Sequence, residues 1–235
     1  MTQKTGYIGD LSEEQEVVKD NIIAWIRQSG VLDLDKLRFD EADILRFCRA
    51  RKFDNDKVRT MITNFAEWRE AEGIDNLYET WYWPDKVAFK ELYPYGIHKT
   101  CKLGRPIQIE RPGVADINRV ITEIAAEGII GNLNWQCEWF RYHINPACSR
   151  AAGRPIESTC QIFDLTDGNV GKLMSRNCLA LLKMGAKVAQ DYYPETMGAC
   201  YVVNAPMLFS ALYAIVKGFL DERTRSKVRI IGSNF

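Results

Sequence analysis

The sequence predicts an α/β fold in which an N-terminal helical subdomain packs on a mostly parallel sheet. Apolar residues recur at helical spacing through roughly the first 75 residues. From Pro106 onward, short apolar runs alternate with longer helical stretches, which is typical of parallel strands joined by helical crossovers. The 235 residues suffice for one continuous core but not for several independent domains. We therefore assign residues 1–80 to the helical subdomain and residues 81–235 to the α/β domain.

Helices are predicted in the first subdomain over residues 12–30, 40–51 and 55–73. Ser12 and Gln15 form a capping box, and the apolar periodicity that follows ends at Gly30, a residue type that favours helix ends. Asn55 is the predicted N-cap of the third helix, which ends before Gly73.

Short apolar runs predict the strands of the second domain, over residues 106–110, 160–165, 199–204 and 228–231. Helical patterns separate them, near residues 116–142, 171–191 and 206–218. Spacings of this length favour parallel strands, because a parallel connection needs a crossover of about a dozen residues or more.

Composition narrows the class of protein. Lys and Arg together number 31, as do Asp and Glu, so no overall field draws the protein onto nucleic acid. The 7 cysteines include no Cys-x-x-Cys pair, so we predict reduced thiols and no metal site. The N-terminus lacks the apolar core of a signal peptide, and no apolar run reaches the roughly 18 residues of a spanning helix. We therefore expect a cytoplasmic protein.

The sequence signatures of common enzymes are absent. There is no Gly-x-Ser-x-Gly elbow, Gly-x-Gly-x-x-Gly turn or His-Glu-x-x-His zinc helix. The segment 168–172 matches a phosphate loop only in part, since Thr166 stands where the first glycine is required and Leu173 where Ser or Thr follows the lysine. We therefore predict a non-catalytic protein without a cofactor.

A basic segment, residues 46–54, places four cations near the end of the second predicted helix. Cations in this position stabilise the helix macrodipole and pair with nearby carboxylates such as Asp54 and Asp56. They are equally suited to an anionic ligand, so the segment by itself leaves both interpretations open.

Several short motifs, in order along nearly the whole chain after residue 12, resemble the CRAL-TRIO family. The resemblance is strongest to its phosphatidylinositol/phosphatidylcholine transfer branch. The motifs lie at residues 44–54, 93–94, 98–100, 104–106, 146–153, 164–165, 192–195, 197–198, 204–206, 219–221 and 231–233. The resemblance implies a deep apolar pocket, formed over a helix-covered face of the sheet, that holds one lipid molecule.

The resemblance also implies a site for the phosphoinositol head group. By position in the motifs, its residues are Arg51, Lys52, Glu195, Thr224, Ser226 and Lys227. Cations bind a phosphodiester through charge-assisted hydrogen bonds, and hydroxyl groups serve phosphate or inositol. Glu195 would then orient and partly neutralise the cations, although from the residues alone it could equally be a helix-capping carboxylate.

The segment from Met207 to Leu220 resembles the gate helix of the family, and Gly198 resembles one of its hinge positions. Apolar residues surround almost its full circumference, namely Met207, Leu208, Phe209, Leu212, Tyr213, Ile215, Val216 and Phe219. A helix of this kind is either buried or in contact with lipid. An ordinary buried crossover of a parallel sheet explains the same pattern.

Choline recognition departs from the family pattern. Ile97 and Gln108 occupy the two positions where related proteins carry tyrosines, so the aromatic faces that hold a quaternary ammonium are missing. On the next strand Thr159 retains a hydroxyl, whereas Gln161 replaces the second one and Phe163 fills the following inward position. We therefore expect a reshaped second-lipid pocket that no longer takes phosphatidylcholine.

The resulting functional hypothesis is a cytoplasmic, monomeric lipid-transfer protein that docks transiently on membranes and carries a phospholipid, most simply phosphatidylinositol. The alternative is a sensor or presenter of a sterol or another single lipid, without inositol-lipid transfer. Family members continue for some tens of residues beyond the position of Phe235, so the C-terminal part of the domain is expected to be short here, whether by nature or by trimming.

Overall fold

The computed structural model describes residues 4–168 and 170–232. The chain divides into two compact units, Met1–Thr80 and Trp81–Phe235. The first unit contains helices α1 Glu13–Ser29, α2 Glu41–Ala50, α3 Asn55–Ala71 and α4 Ile74–Thr80. The predicted capping box at Ser12 is present, and Gly30 adopts the left-handed conformation (φ 67°) that ends α1.

The N-cap of α3 differs from the prediction. Asp54, not Asn55, has the extended backbone of a cap, and its carboxylate accepts a hydrogen bond from the backbone N–H of Lys57. Asn55 is the first helical residue. The sequence offers two capping residues in succession, and only the backbone conformation distinguishes them.

Helix α2 forms the centre of the first unit because it is buried on nearly every side. Ile44, Leu45 and Phe47 are buried, and so are the basic side chains of Arg46 and Arg49. Arg46 pairs with Asp43, and the Arg49 guanidinium donates a hydrogen bond to the carbonyl of Gly6 while covering the ring of Tyr7. Two of the four cations in the basic segment therefore stabilise this unit.

The second unit is built on a five-stranded sheet with the strand order β1-β2-β3-β4-β5. The strands are β1 Tyr95–Thr100, β2 Pro106–Glu110, β3 Thr159–Asp164, β4 Met197–Val203 and β5 Val228–Ile230. Strands β2 to β5 are parallel, as predicted, and β1 adds an antiparallel edge that the prediction missed. Since the four parallel strands follow one another in space, right-handed connections place every crossover on the same face.

Helices connect the strands of the second unit. They are α5 Lys86–Leu92, α6 Ile117–Glu123, α7 Ala126–Trp139, a π-helical segment Phe140–Ile144, α8 Asn145–Ala152, α9 Val170–Leu173, α10 Arg176–Asp191, α11 Phe209–Val216, a 3₁₀ turn Lys217–Phe219 and α12 Glu222–Ser226. The predicted stretch 116–142 is interrupted between α6 and α7, because Ile124 becomes extended and buries its side chain beside Val120.

One face of the sheet packs against the crossover helices. Cys200 and Val202 of β4 belong to an apolar cluster with Ile117 of α6, Cys178 of α10 and Leu212 of α11. Burial of this kind stabilises a domain in proportion to the apolar area removed from water. The face that carries Cys200 and Val202 is called the helix-covered face below.

Candidate functional site

Glu195 is the centre of an ionic cluster in the second unit. Arg223 Nε lies 3.0 Å from Glu195 Oε1, and Lys227 Nζ lies 3.2 Å from Glu195 Oε2. The carboxylate is only 5% exposed, whereas the Arg223 side chain is 39% exposed. Glu195 reaches this position from the turn before β4, where its own backbone is left-handed (φ 61°). These three residues are called the Glu195 cluster.

Helix α12 and the residue that follows it supply the two cations of the cluster. Asp221 caps α12 by accepting a hydrogen bond from the backbone N–H of Thr224. Arg223 lies in α12 and Lys227 is its C-cap, four residues later, a spacing that brings side chains to one helix face. Arg223 was not predicted from the sequence, although its i, i+4 relation to Lys227 is visible there.

The charges of the Glu195 cluster do not balance. Arg223 and Lys227 contribute two positive charges and Glu195 one negative charge. Burial lowers the pKa of Lys227, and the attraction of Glu195 opposes that effect. The carboxylate of Asp221 also favours the charged lysine, to a smaller extent. A monoanion placed beside the two cations would offset both the excess charge and the desolvation of Lys227.

The two predicted hydroxyl groups have partners within or beside α12. Thr224 Oγ1 donates to Asp221 Oδ2 at 2.5 Å, and Ser226 Oγ donates to the carbonyl of Arg223 at 2.7 Å. Their oxygens keep acceptor capacity for a ligand. Their hydrogen bonding to phosphate or inositol stays a prediction.

Arg51 and Lys52 belong to the first unit, directly after α2. Arg51 is the C-cap of α2, and Lys52 and Phe53 have left-handed backbones (φ 53° and 59°). Arg51 is half-buried and donates to the carbonyl of Ala50, and Lys52 is exposed. Their location at a helix C-terminus agrees with macrodipole stabilisation, and their role in head-group binding stays a prediction.

Most residues of the predicted second-lipid pocket form one row across the sheet. Ile97 is paired with Gln108, Gln108 with Gln161, and Gln161 with Cys200. Since paired residues of neighbouring strands share a face, the row lies on the helix-covered face. Phe163, two residues beyond Gln161, lies on that face as well. The residues of β3 from Gln161 to Asp164 are only half-buried, although β3 is the middle strand.

The hydroxyl of Thr159 is less available to a ligand than predicted. The residue is buried, and its hydroxyl donates to the carbonyl of Thr196 at 3.4 Å. The same carbonyl accepts the Thr159 backbone N–H at 2.8 Å. A ligand would therefore compete with an existing contact at this hydroxyl.

A half-buried glutamate, which was not predicted from the sequence, lies beside the row. Glu110 accepts hydrogen bonds from Tyr93 Oη at 2.7 Å and from Gln108 Nε2 at 3.1 Å. It is the cross-strand partner of Tyr95, whose hydroxyl contacts Asn132 Nδ2 at 3.4 Å. Burial raises the pKa of Glu110, and the two hydrogen bonds oppose that rise.

The raised pKa of Glu110 should be visible in the pH dependence of the free energy of unfolding. Because the folded-state pKa of Glu110 lies above its ordinary value of 4.5, its contribution to stability is complete at low pH. That contribution is lost as the pH rises through the folded-state pKa. Glu110→Gln is therefore expected to gain stability over wild type by about 1.4 kcal/mol per pH unit between the two pKa values. Urea denaturation from pH 4 to pH 8 measures this gain. Parallel pH profiles for the two proteins would contradict it, and Glu127→Gln is the exposed control.

The predicted gate helix is shorter than expected. Helix α11 begins at Phe209, so Met207 and Leu208 lie in the turn before it, and Phe219 ends the 3₁₀ turn that follows. The apolar residues divide into three groups by exposure. Phe209 and Leu212 are buried, Tyr213, Val216 and Phe219 are half-buried, and Met207, Leu208 and Ile215 are exposed, Met207 by 95%.

Gly198 lies within β4, at an irregularity of the sheet. Thr159 pairs with Met197 and Cys160 with Ala199, so Gly198 is an extra residue on β4. A Cβ atom at this position would lie 2.5 Å from Ser158 Oγ and 2.7 Å from Arg105 Nε. Close packing therefore accounts for the glycine, and its role as a hinge stays a prediction.

Among the proteins similar to this chain are three relatives and one solved structure. The SEC14 cytosolic factor of Yarrowia lipolytica is 38% identical over 98% of this chain and 46% of its own length. The Sec14 cytosolic factor of Schizosaccharomyces pombe is 36% identical over 98% of this chain and 78% of its own length. A phosphatidylinositol/phosphatidylcholine transfer protein of Arabidopsis thaliana, SFH7, is 32% identical over 87% of this chain and 38% of its own length. The crystal structure of Sfh5, 17% identical, superposes with a TM-score of 0.68 over 94% of this chain and 81% of that one.

These similarities define a class of lipid-binding proteins rather than enzymes, with an α/β fold. The CRAL/TRIO domain model matches residues 90–235. The chain therefore belongs to the CRAL-TRIO family, as its motifs predicted. The chain spans about half the length of the Yarrowia relative. Among the described residues, no helix is long and apolar enough to cross a membrane.

Proposed function

We propose that the protein binds phosphatidylinositol, with its head group at the Glu195 cluster, and exchanges this lipid at membranes from the cytoplasm. The observation that carries the proposal is the pairing of one buried carboxylate with Arg223 and Lys227. The name of the Arabidopsis relative, which assigns phosphatidylinositol and phosphatidylcholine transfer to that protein, supports the same ligand class.

The chemistry of the head group matches the cluster. A phosphodiester carries one negative charge, which the guanidinium of Arg223 and the ammonium of Lys227 can attract. The guanidinium and ammonium groups donate charge-assisted hydrogen bonds to phosphate oxygens, and the carboxylate accepts hydrogen bonds from inositol hydroxyls.

The acyl chains require an apolar surface, and exchange requires membrane contact. Each methylene removed from water contributes about 0.8 kcal/mol, so a bound phospholipid leaves for water slowly and for a bilayer much more readily. Met207 and Leu208 are the most exposed of the apolar residues near α11. We propose that these two side chains contact the bilayer while Phe209 and Leu212, buried in the closed state, move with α11 as a gate.

Transfer between two vesicle populations tests the proposal. Donor vesicles of phosphatidylcholine carry fluorescent phosphatidylinositol together with a quencher that the protein does not carry, and acceptor vesicles lack both. We expect the protein, as a monomer, to raise the fluorescence at a rate proportional to its concentration. A rate equal to that without protein would contradict the proposal.

Phosphatidylcholine recognition is proposed to be weak because Ile97 and Gln108 provide no aromatic faces. These residues are direct cross-strand partners on the helix-covered face. The double variant Ile97→Tyr with Gln108→Tyr is therefore expected to gain phosphatidylcholine uptake several-fold through cation–π contacts. Native mass spectrometry after incubation with phosphatidylcholine vesicles measures the gain, and Val114→Tyr controls for an added exposed aromatic ring. Strong uptake by the wild type would contradict this part of the proposal.

A further inference from the structure

The helix-covered face of the sheet is polar on one side and apolar on the other. Glu110, Gln108 and Gln161 lie on β2 and β3, whereas Cys200 and Val202 lie on β4 and pack against apolar residues of the helices. A lipid lying on this face would meet hydrogen-bonding groups at one end and apolar side chains at the other.

Two of the polar side chains have capacity for a ligand. The side-chain amide of Gln161 makes no hydrogen bond to the described part of the chain, although the residue is half-buried on the middle strand. Asn132 is 2% exposed, and its Oδ1 accepts no hydrogen bond from any described residue. Its Nδ2 contacts the hydroxyl of Tyr95, which stands opposite Glu110. A buried polar atom of this kind is commonly satisfied by an ordered water or by a polar group of a ligand.

The other groups of the patch determine the charge that a ligand can carry. Both carboxyl oxygens of Glu110 already accept hydrogen bonds, from Tyr93 and Gln108. Burial favours the protonated, neutral form of this carboxyl. Gln108, Gln161, Asn132 and Tyr95 are neutral. The amides and the hydroxyl therefore offer neutral donors and acceptors, and a phosphate would lack a cation among these residues.

We propose that this patch, formed by Gln108, Glu110, Gln161 and Asn132, binds the hydroxyl group of a neutral lipid such as a diacylglycerol or a sterol. The hydroxyl donates to Asn132 Oδ1 or to the Gln161 carbonyl oxygen and accepts from the Gln161 amide nitrogen, while the hydrocarbon part lies toward Cys200 and Val202. The inference rests on the proposed function and specifies the second ligand of the same domain.

Matched ligands test the inference on the unaltered protein. The protein is incubated with phosphatidylcholine vesicles that contain phosphatidylinositol, phosphatidylethanolamine and one test lipid, and it is then recovered for native mass spectrometry. The test lipids are dioleoylglycerol, its methyl ether, cholesterol and cholesterol methyl ether. We expect at least one free alcohol to be retained about ten-fold more than its ether, because the ether cannot donate to a buried acceptor. The two alcohols distinguish a diacylglycerol from a sterol.

Variants locate the site. Gln161→Leu is expected to reduce retention of the preferred alcohol about ten-fold and to reduce the difference between alcohol and ether. Gln28→Leu, on the exposed surface of α1, is the matched control and should change neither. If Gln161→Leu fails to fold, the comparison of alcohol with ether still decides the question.

The outcomes separate the inference from the proposed function. Retention of phosphatidylinositol together with equal retention of alcohols and ethers overturns the inference and leaves the transfer function intact. Preferred retention of phosphatidylcholine or phosphatidylethanolamine also overturns it. Retention of an alcohol without phosphatidylinositol supports the patch and overturns the inositol-lipid assignment. Retention of no lipid overturns both.

Discussion

Lys227→Ala is expected to reduce the partitioning of phosphatidylinositol from vesicles into the protein about thirty-fold. Lys227 Nζ is 3.2 Å from Glu195 and its side chain is mostly buried, so it can donate to a phosphate in a partly desolvated site. A hydrogen bond from a charged donor contributes about 2 kcal/mol, and about 1.4 kcal/mol corresponds to a ten-fold change in affinity. Arg223 still pairs with Glu195 in the variant, so the fold should persist.

The control for Lys227→Ala removes the same charge elsewhere. Lys183 is exposed on α10, outside both the proposed gate and the Glu195 cluster. Lys183→Ala should therefore leave phosphatidylinositol partitioning near the wild-type value. Native mass spectrometry and the vesicle-transfer assay measure both variants. An equal loss in both would indicate a general electrostatic attraction to the membrane, and no loss in Lys227→Ala would exclude Lys227 from the head-group site.

Glu138→Ala is expected to lower the free energy of unfolding by about 3 to 5 kcal/mol. Glu138 is 1% exposed on α7. Its Oε1 accepts a hydrogen bond from the buried Tyr193 hydroxyl at 2.9 Å, and its Oε2 lies 3.4 Å from Arg141 Nη2. Truncation removes a charged partner from two buried groups and leaves a cavity, both of which destabilise the folded state. Urea denaturation at pH 7 measures the effect.

Two comparisons isolate the contribution of the charge. Glu127→Ala, at an exposed position in the first turn of α7, should cost less than about 1 kcal/mol. Glu138→Gln keeps an acceptor for Tyr193 but loses the charge opposite Arg141, so an intermediate loss is expected. Tyr193 precedes Glu195 by two residues, so the bond to Glu138 also anchors the turn that carries the cluster. A loss below about 1 kcal/mol in Glu138→Ala would contradict this role.

Patterns that depend on local spacing predicted most of the regular structure. The capping box at Ser12, the strand at 106–110 and the parallel order of the later strands are all present. Strand β1 was missed because its C-terminal half, residues 98–100, is polar and exposed at a sheet edge. The strand therefore lacks an alternating pattern of apolar and polar residues. The π-helical segment after α7 has no sequence signature that the periodicity could detect.

The candidate site was predictable in part. Family motifs identified Glu195 and Lys227, and the structure pairs them directly. They did not identify Arg223, whose bidentate contact with Glu195 depends on the direction of α12. The departure from the family at Ile97, Gln108 and Gln161 was predicted from the sequence. The sheet register shows that these three residues are neighbours in a single row.

The fold class, the family and the residue types available for a ligand were predictable from local patterns, because helical and strand periodicities and short motifs are local properties of a chain. Which side chains meet depends on the tertiary structure. Burial among residues of β1, β2 and the C-terminal end of α5 raises the pKa of Glu110. The packing of α7 excludes solvent from the side chain of Asn132. Burial and long-range pairing arise from contacts between distant segments, and local spacing does not encode them.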